Sequence, residues 1–167
     1  PDGERTFGTY LGAAATMKAE NLTLDMFKGY AYLYIEGYLV QDHDFDSPVP
    51  CSWPKEAGAQ ICLDMASYNI VAEELDFFTT LINKYVDIVF ANEEEARAYT
   101  GKDAWEAINE ISAMCSVVVV KLGAQGSCIK ERDGMYQTGD SAGEESGRHH
   151  RSRRLLCCRI SLWAHVR

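Results

Sequence analysis

A run of four valines at residues 117–120 places the strongest constraint on the fold of this 167-residue chain. A continuous stretch of β-branched residues favours a strand that is buried on both faces, and such strands are typical of parallel sheets. Other short apolar stretches, at residues 60–64 and 87–91, are separated by segments with apolar residues at helical spacing, such as residues 71–85. The alternation predicts an α/β fold with a mostly parallel sheet that helices cover on both faces.

Further elements extend this pattern towards both ends of the chain. Residues 30–35 are rich in β-forming aromatic residues and predict another strand. Residues 104–114 have the spacing of an amphipathic helix. Residues 127–131 and 134–137 flank a turn with a glycine and predict a hairpin after the valine strand.

Residues 45–54 interrupt the alternation. A crossover helix is expected here, because parallel neighbours cannot be joined by a tight turn. The segment instead contains three prolines, which are poorly tolerated inside a helix. Two interpretations remain open, namely an irregular loop and a short stretch that is translated out of frame. Residues 55–58 resemble a normal helix end.

The last twenty residues differ in composition from the rest of the chain. Residues 148–167 hold six arginines, three of the four histidines, two adjacent cysteines and no acid. Residues 1–147 therefore carry ten Lys and Arg against 25 Asp and Glu, a net charge of −15. Such a break indicates a basic tail, a fused segment or a wrong reading frame. The histidines and cysteines imitate a zinc set, but adjacent pairs lack the spacing of structural zinc sites.

Bulk properties exclude several classes of protein. The chain is 47% hydrophobic and 25% charged, as expected of one globular domain. No apolar run approaches the length of a membrane span, and no signal peptide is recognisable. The acidic body argues against nucleic-acid and membrane partners. Six cysteines without metal spacing predict buried thiols and a cytoplasmic location. Because the chain begins with Pro1, we expect it to be part of a longer protein.

Asn92 and Glu95 follow the predicted strand at residues 87–91 and open a helix. In open α/β sheets the ligand binds at this edge, where the parallel strands end. An amide and a carboxylate one helical turn apart can hold hydrated Mg²⁺ against phosphate oxygens. The same spacing is also that of a helix cap, which is the commoner arrangement. Asp64 ends another strand and could face the phosphates, although a helix cap or a solvent-facing acid is the simpler interpretation.

Lys121, Gly123 and Gly126 follow the valine strand in the pattern K-x-G-x-x-G-S. Glycines allow backbone N–H groups to approach an anion or a flat ring closely. Taken alone, the pattern most often marks a tight turn.

The basic tail can be interpreted through its coding sequence. Codons that encode Gly147 and residues 148–167 can be chosen so that, read one base later, they spell V-D-T-T-G-A-G-D-Y-F-A-A-G-F-L-Y-G-L-T-S. The first and third bases of the shifted codons are largely dictated by the residues present. The tail is therefore interpreted as a frameshift product, in preference to a zinc site or a basic arm for nucleic acid.

Together the N-x-x-E motif, the K-x-G-x-x-G-S turn and the shifted G-A-G-D resemble the ribokinase-like (PfkB) carbohydrate kinases. The segment that begins at Asp2 resembles the β-lid of these kinases, and its sequence at residues 10–13 looks closest to the adenosine-kinase-like and sugar-kinase members. The resemblance implies a three-layer fold with a mostly parallel sheet and a small β-lid, here incomplete. Residues 1–147 would be its central part, with the lid at about 1–16 and the core at about 28–140.

The resemblance also implies ATP-dependent phosphorylation of a hydroxyl of a sugar or nucleoside. Asn92, Glu95, Lys121, Gly123 and Gly126 would bind the nucleotide, Glu95 would contact Mg²⁺, and a homodimer could form through the lid. In the family the G-A-G-D loop stabilises the transferred phosphoryl group and takes the proton from the hydroxyl. No residue in frame supplies that base, so we expect the chain as written to be inactive.

Two alternatives remain. The chain could be a non-catalytic nucleotide-binding or regulatory fragment whose basic tail binds an acidic partner. Deletion of residues 148–167 would then weaken partner binding. It could also belong to a different α/β enzyme, such as a phosphomethylpyrimidine-type kinase.

Overall fold

The structure, a computed structural model, describes residues 19–41, 49–132 and 134–139. Its six strands form one sheet in the order in which they occur along the chain. They are β1 (Tyr32–Glu36), β2 (Gln60–Asp64), β3 (Ile88–Asn92), β4 (Val117–Lys121), β5 (Ser127–Glu131) and β6 (Gly134–Thr138). The first four strands are parallel, and the last two add antiparallel pairs at one edge. The predicted, mostly parallel α/β sheet and its terminal hairpin are confirmed.

Five α-helices in the described ranges connect the parallel strands. They are α1 (Val49–Glu56), α2 (Tyr68–Glu73), α3 (Leu75–Lys84), α4 (Glu93–Thr100) and α5 (Ala104–Ile111). Single turns of 3-10 helix occur at Ala19–Asn21, Leu24–Phe27, Gly37–Gln41 and Gly123–Gln125. Each parallel connection therefore contains at least one helix, as parallel pairing requires.

Helix α1 corrects the expectation for the proline-rich segment. The structure forms a helix over residues 49–56 with Pro50 and Pro54 inside it. Pro50 is the second residue of the helix, where the backbone N–H would have no intrahelical partner. Pro54 removes one hydrogen bond near the end of the helix, but its ring is fully buried. Burial of this ring offsets the lost hydrogen bond, so the irregular-loop interpretation is wrong from residue 49 onwards.

The predicted helix at residues 71–85 is divided into two. Helix α2 ends at Glu73, and Glu74 leaves the helical region with φ −111° and ψ 32° before α3 begins at Leu75. The Glu74 carbonyl still accepts from the N–H of Phe78 at 3.0 Å. The break therefore redirects the chain while both helices keep their apolar sides on the same core.

The main core lies between the helices and one face of the sheet. Alternate strand residues on this face are almost completely buried, namely Ile61, Leu63, Val89, Ala91, Val118 and Val120. Helices α3 and α5 pack Phe78, Ile82, Ile108 and Ile111 against them. Each such side chain contributes roughly 1.5–3 kcal/mol by leaving water.

The opposite face of the strands is also shielded from solvent. Cys62, Ile88, Val119 and Ile129 are buried there but do not belong to the main core cluster. Val118, Val119 and Val120 are thus buried on both faces, as the continuous apolar pattern predicts, while Val117 is partly buried. In the described ranges, the helices that join the main core pack on the first face.

Cysteines in the described ranges are free thiols, as expected. Burial raises the pKa of Cys51 and of Cys62 to about 11, and that of Cys115 to about 12. The predicted lid at residues 1–16 and the tail at residues 148–167 lie outside the described residues. Within those residues, no helix combines the length and apolar character needed to span a bilayer.

Candidate active site at the carboxyl edge of the sheet

Three neighbouring parallel strands end in polar residues at the same edge of the sheet. Strand β2 ends at Asp64, β3 at Asn92 and β4 at Lys121. Asn92 and Lys121 are direct register partners. Because side chains alternate along a strand, all three residues lie on the face opposite the main core. This edge is where open α/β sheets bind ligands.

Asn92 and Glu95 form a complete capping box at the start of α4. The Asn92 side-chain oxygen accepts from the Glu95 backbone N–H at 2.7 Å. In return, the Glu95 carboxylate accepts from the Asn92 backbone N–H and from its side-chain amide, both at 2.8 Å. The capping interpretation is therefore correct, and the three bonds hold the Glu95 carboxylate in one orientation.

Glu95 is only 3% exposed. Among the described residues it is the one charged residue that is buried. Desolvation raises the pKa of its carboxyl group, while the hydrogen bond from Asn92 and the charge of Lys121 oppose this rise. The nearby negative charges of Asp64 and Glu94 raise the pKa further. An added cation near this carboxylate would therefore be favourable.

The donor set fits Mg²⁺ that is held mainly by water and phosphate. Mg²⁺ keeps several waters and is usually bound through one or two carboxylates. Both Glu95 oxygens already accept hydrogen bonds from Asn92, but each retains acceptor capacity. The described residues contain no group of three or more His, Cys, Asp or Glu that could form a protein-only metal site.

Asp64 is held by a second set of contacts. One carboxylate oxygen accepts from the Ala66 backbone N–H at 3.0 Å, and Ala66 has a φ of 62°. The other accepts from the Tyr34 hydroxyl at 3.1 Å and lies 3.6 Å from the Lys121 ammonium. Asp64 thus closes a turn and does not cap α2, whose N-cap residue is Ser67.

Tyr34 is a member of this site that sequence reasoning missed. Burial and then the charge of Asp64 raise the pKa of its hydroxyl to about 12, so it remains a hydrogen-bond donor. Its ring also lies beside Phe90 of β3, with centroids 6.3 Å apart. Tyr34 pairs with Cys62, which precedes Asp64 by two residues on the same face of the sheet. The strand register is therefore the signal that could have identified Tyr34 as a neighbour of Asp64.

The glycine turn follows Lys121 directly. Gly126 has φ 88° and ψ −127°, and an added Cβ would meet the Thr138 carbonyl oxygen at 1.6 Å. Gly123 also has a positive φ, but the space around its Cβ position is open. Gly126 is thus required by the packing of β6, while Gly123 leaves backbone accessible to a ligand.

A surface cavity of about 310 Å³ lies elsewhere, at the amino edge of the sheet. Lys55, Asp87 and Cys115 are among its lining residues. Lys55 and Asp87 are already paired at 2.6 Å, and Asp87 also accepts from the Ile61 backbone N–H. The cavity is therefore separate from the candidate site.

The fold and the site define a class: α/β proteins that place an acidic helix cap and a glycine turn at adjacent ends of parallel strands. Residues 1–141 match the pfkB family carbohydrate kinases, and the chain belongs to this family. Guanosine-inosine kinase from Escherichia coli K12 is 27% identical over 106 residues, which is 60% of this chain and 24% of the relative.

Two solved structures resemble the chain over most of its length. Adenosine kinase from Sinorhizobium meliloti is 25% identical with a TM-score of 0.72, over 81% of this chain and 43% of that one. A "probable sugar kinase protein" from Rhizobium etli CFN 42 is 26% identical with a TM-score of 0.71, over 78% and 41%. The chain therefore spans less than half the length of each of these proteins.

Proposed function

We propose that this chain forms the nucleotide-binding part of an ATP-dependent kinase that phosphorylates a hydroxyl of a sugar or nucleoside. The observation that carries the proposal is the register pairing of Asn92 with Lys121. It brings the N-x-x-E helix cap and the glycine turn together in a chain of the pfkB family. A fructokinase from Vibrio cholerae O395 with the same fold was solved with fructose, ADP and a calcium ion bound, which supports a nucleotide at this fold.

Each residue of the site has a proposed role. Glu95 contacts Mg²⁺ through water, and Asn92 keeps that carboxylate oriented. Lys121 attracts the phosphates, because its ammonium is half exposed at the strand end. Gly123 and Gly126 shape the turn along the nucleotide. Mg²⁺, when bound, neutralises charge on the phosphates during transfer.

The chain as written is proposed to bind nucleotide without transferring phosphate. In frame it lacks a Gly-Ala-Gly-Asp loop, so no residue is assigned as the base that accepts the hydroxyl proton. The proposal also includes a cytoplasmic location, a small molecule as the phosphate acceptor, and a homodimer that forms through the lid.

The test compares the protein from the original coding DNA with the protein from a frame-shifted variant of that DNA. The 167-residue chain should bind ATP with Mg²⁺ in calorimetry but should not turn it over with ribose, fructose or adenosine. A variant gene with the reading frame shifted at codon 147 should encode V-D-T-T-G-A-G-D in place of the basic tail. Turnover by the original chain would refute the predicted inactivity, and absence of nucleotide binding in both proteins would refute the site.

A further inference from the structure

The contact between Asp64 and Lys121 differs from the other ion pairs of the described chain. At 3.6 Å it is longer than the 2.6 Å pairs Lys55–Asp87 and Lys102–Glu110. The two residues come from strands that are not neighbours, because β3 lies between β2 and β4. Lys121 therefore reaches across a whole strand to meet this carboxylate.

The two partners are not equally constrained. Asp64 is 21% exposed and is held by the Tyr34 hydroxyl and the Ala66 N–H. The Lys121 side chain is 49% exposed, and its ion pair within the described part of the chain is the one with Asp64. The carboxylate is thus a fixed acceptor, while the ammonium is free to move to a competing anion.

We propose that Asp64 acts as an internal competitor for the phosphate of the nucleotide, holding Lys121 until a phosphate group displaces it. This inference rests on the proposed function, in which Lys121 attracts the phosphates. A carboxylate and a phosphate oxygen bind an ammonium through the same charge-assisted hydrogen bonds. Tyr34 keeps Asp64 at the sheet edge, so the carboxylate does not follow Lys121 when the lysine moves.

The restraint is weak enough to be overcome by substrate. An ion pair of this kind shifts the equilibrium between its paired and unpaired forms by a factor of no more than about five. Removal of the Asp64 charge should therefore raise the affinity for ATP about two- to five-fold. Adenosine, which carries no phosphate, should bind with unchanged affinity.

The experiment is a double-mutant cycle on the full chain, with calorimetric titration of ATP and, separately, adenosine. Mg²⁺ is present at one saturating concentration in every titration, so that all variants are compared with the same Mg²⁺-bound ATP. The variants are Asp64→Asn, Lys121→Met and the double variant. Glu110→Gln is the matched control, because it removes the carboxylate partner of Lys102 and changes the net charge equally. This control accounts for ATP held non-specifically by the six arginines of residues 148–167.

Asp64→Asn should strengthen ATP binding two- to five-fold relative to Glu110→Gln, and only when Lys121 is present. A double variant that binds no better than Lys121→Met supports the proposal, including the case in which neither binds measurably. An equal gain in both backgrounds would overturn it, because Asp64 would then repel phosphate directly. Equal affinity of Asp64→Asn and Glu110→Gln would also overturn it while leaving nucleotide binding intact. Absence of ATP binding in every variant would remove the inference together with the proposed function.

Discussion

Replacement of Gly126 by alanine would place a Cβ atom 1.6 Å from the carbonyl oxygen of Thr138, well inside van der Waals contact. The backbone at Gly126 also lies at φ 88° and ψ −127°, a region that costs a residue with a side chain about 1–3 kcal/mol. To relieve the clash, β6 must move away from the turn and weaken hydrogen bonds to β5, each worth about 0.5–1.5 kcal/mol. We expect a total loss of about 3–5 kcal/mol in the free energy of unfolding.

Gly123→Ala is the matched control, because Gly123 lies in the same turn with φ 53° and has no atom within 4 Å of the added Cβ. Gly123→Ala should lower the free energy of unfolding by only about 1–2 kcal/mol, which is the cost of a left-handed backbone for a residue with a side chain. In urea unfolding followed by circular dichroism, the two midpoints should differ by about 1–2 M, given a slope of about 1–3 kcal/mol/M. Coincident midpoints would refute the argument, since they would mean that the β6 hairpin does not rest against this turn.

Two further predictions concern charged groups. The pKa of Glu95 is raised on folding, so its protonated form stabilises the native state and that stability is lost as pH rises from about 4.5 through the raised pKa. Glu95→Gln should flatten this decline in unfolding free energy above about pH 4.5, whereas Glu93→Gln, at an exposed position of the same helical turn, should leave it in place; a parallel decline in both variants would contradict the assignment. Lys55→Met leaves the part-buried Asp87 without its ion pair and should cost about 1–3 kcal/mol in thermal or urea unfolding. The exposed control Lys28→Met should cost under about 0.5 kcal/mol, and an equal loss would exclude a special role for the part-buried pair.

The strands and their approximate positions could be predicted because their signals are local. The β-branched run of β4 and the apolar stretches of β2 and β3 each identify a strand without reference to the rest of the fold. The motif residues Asn92, Glu95 and Lys121 could also be found, because a helix cap and a turn are defined within a few residues. Local spacing could not decide between a cap and a metal site, since both use the same amide and carboxylate.

The helix at α1 could not be predicted, because the local cost of two prolines points the other way. Burial of Pro54 beside the core compensates for that cost, and burial is a property of the assembled fold. The break at Glu74 is similar, because helical periodicity continues on both sides of it. Local propensity is overridden in both places by packing against the sheet.

The sequence by itself determined the α/β class, the parallel strands and the residues that stand at their carboxyl ends. Only the tertiary structure decided which of those residues meet. Tyr34, Asp64 and Lys121 come from three different strands, and their contacts depend on strand order and register. The physical reason is that side-chain pattern specifies which face of a strand is buried, whereas contact across a sheet depends on which strands become neighbours.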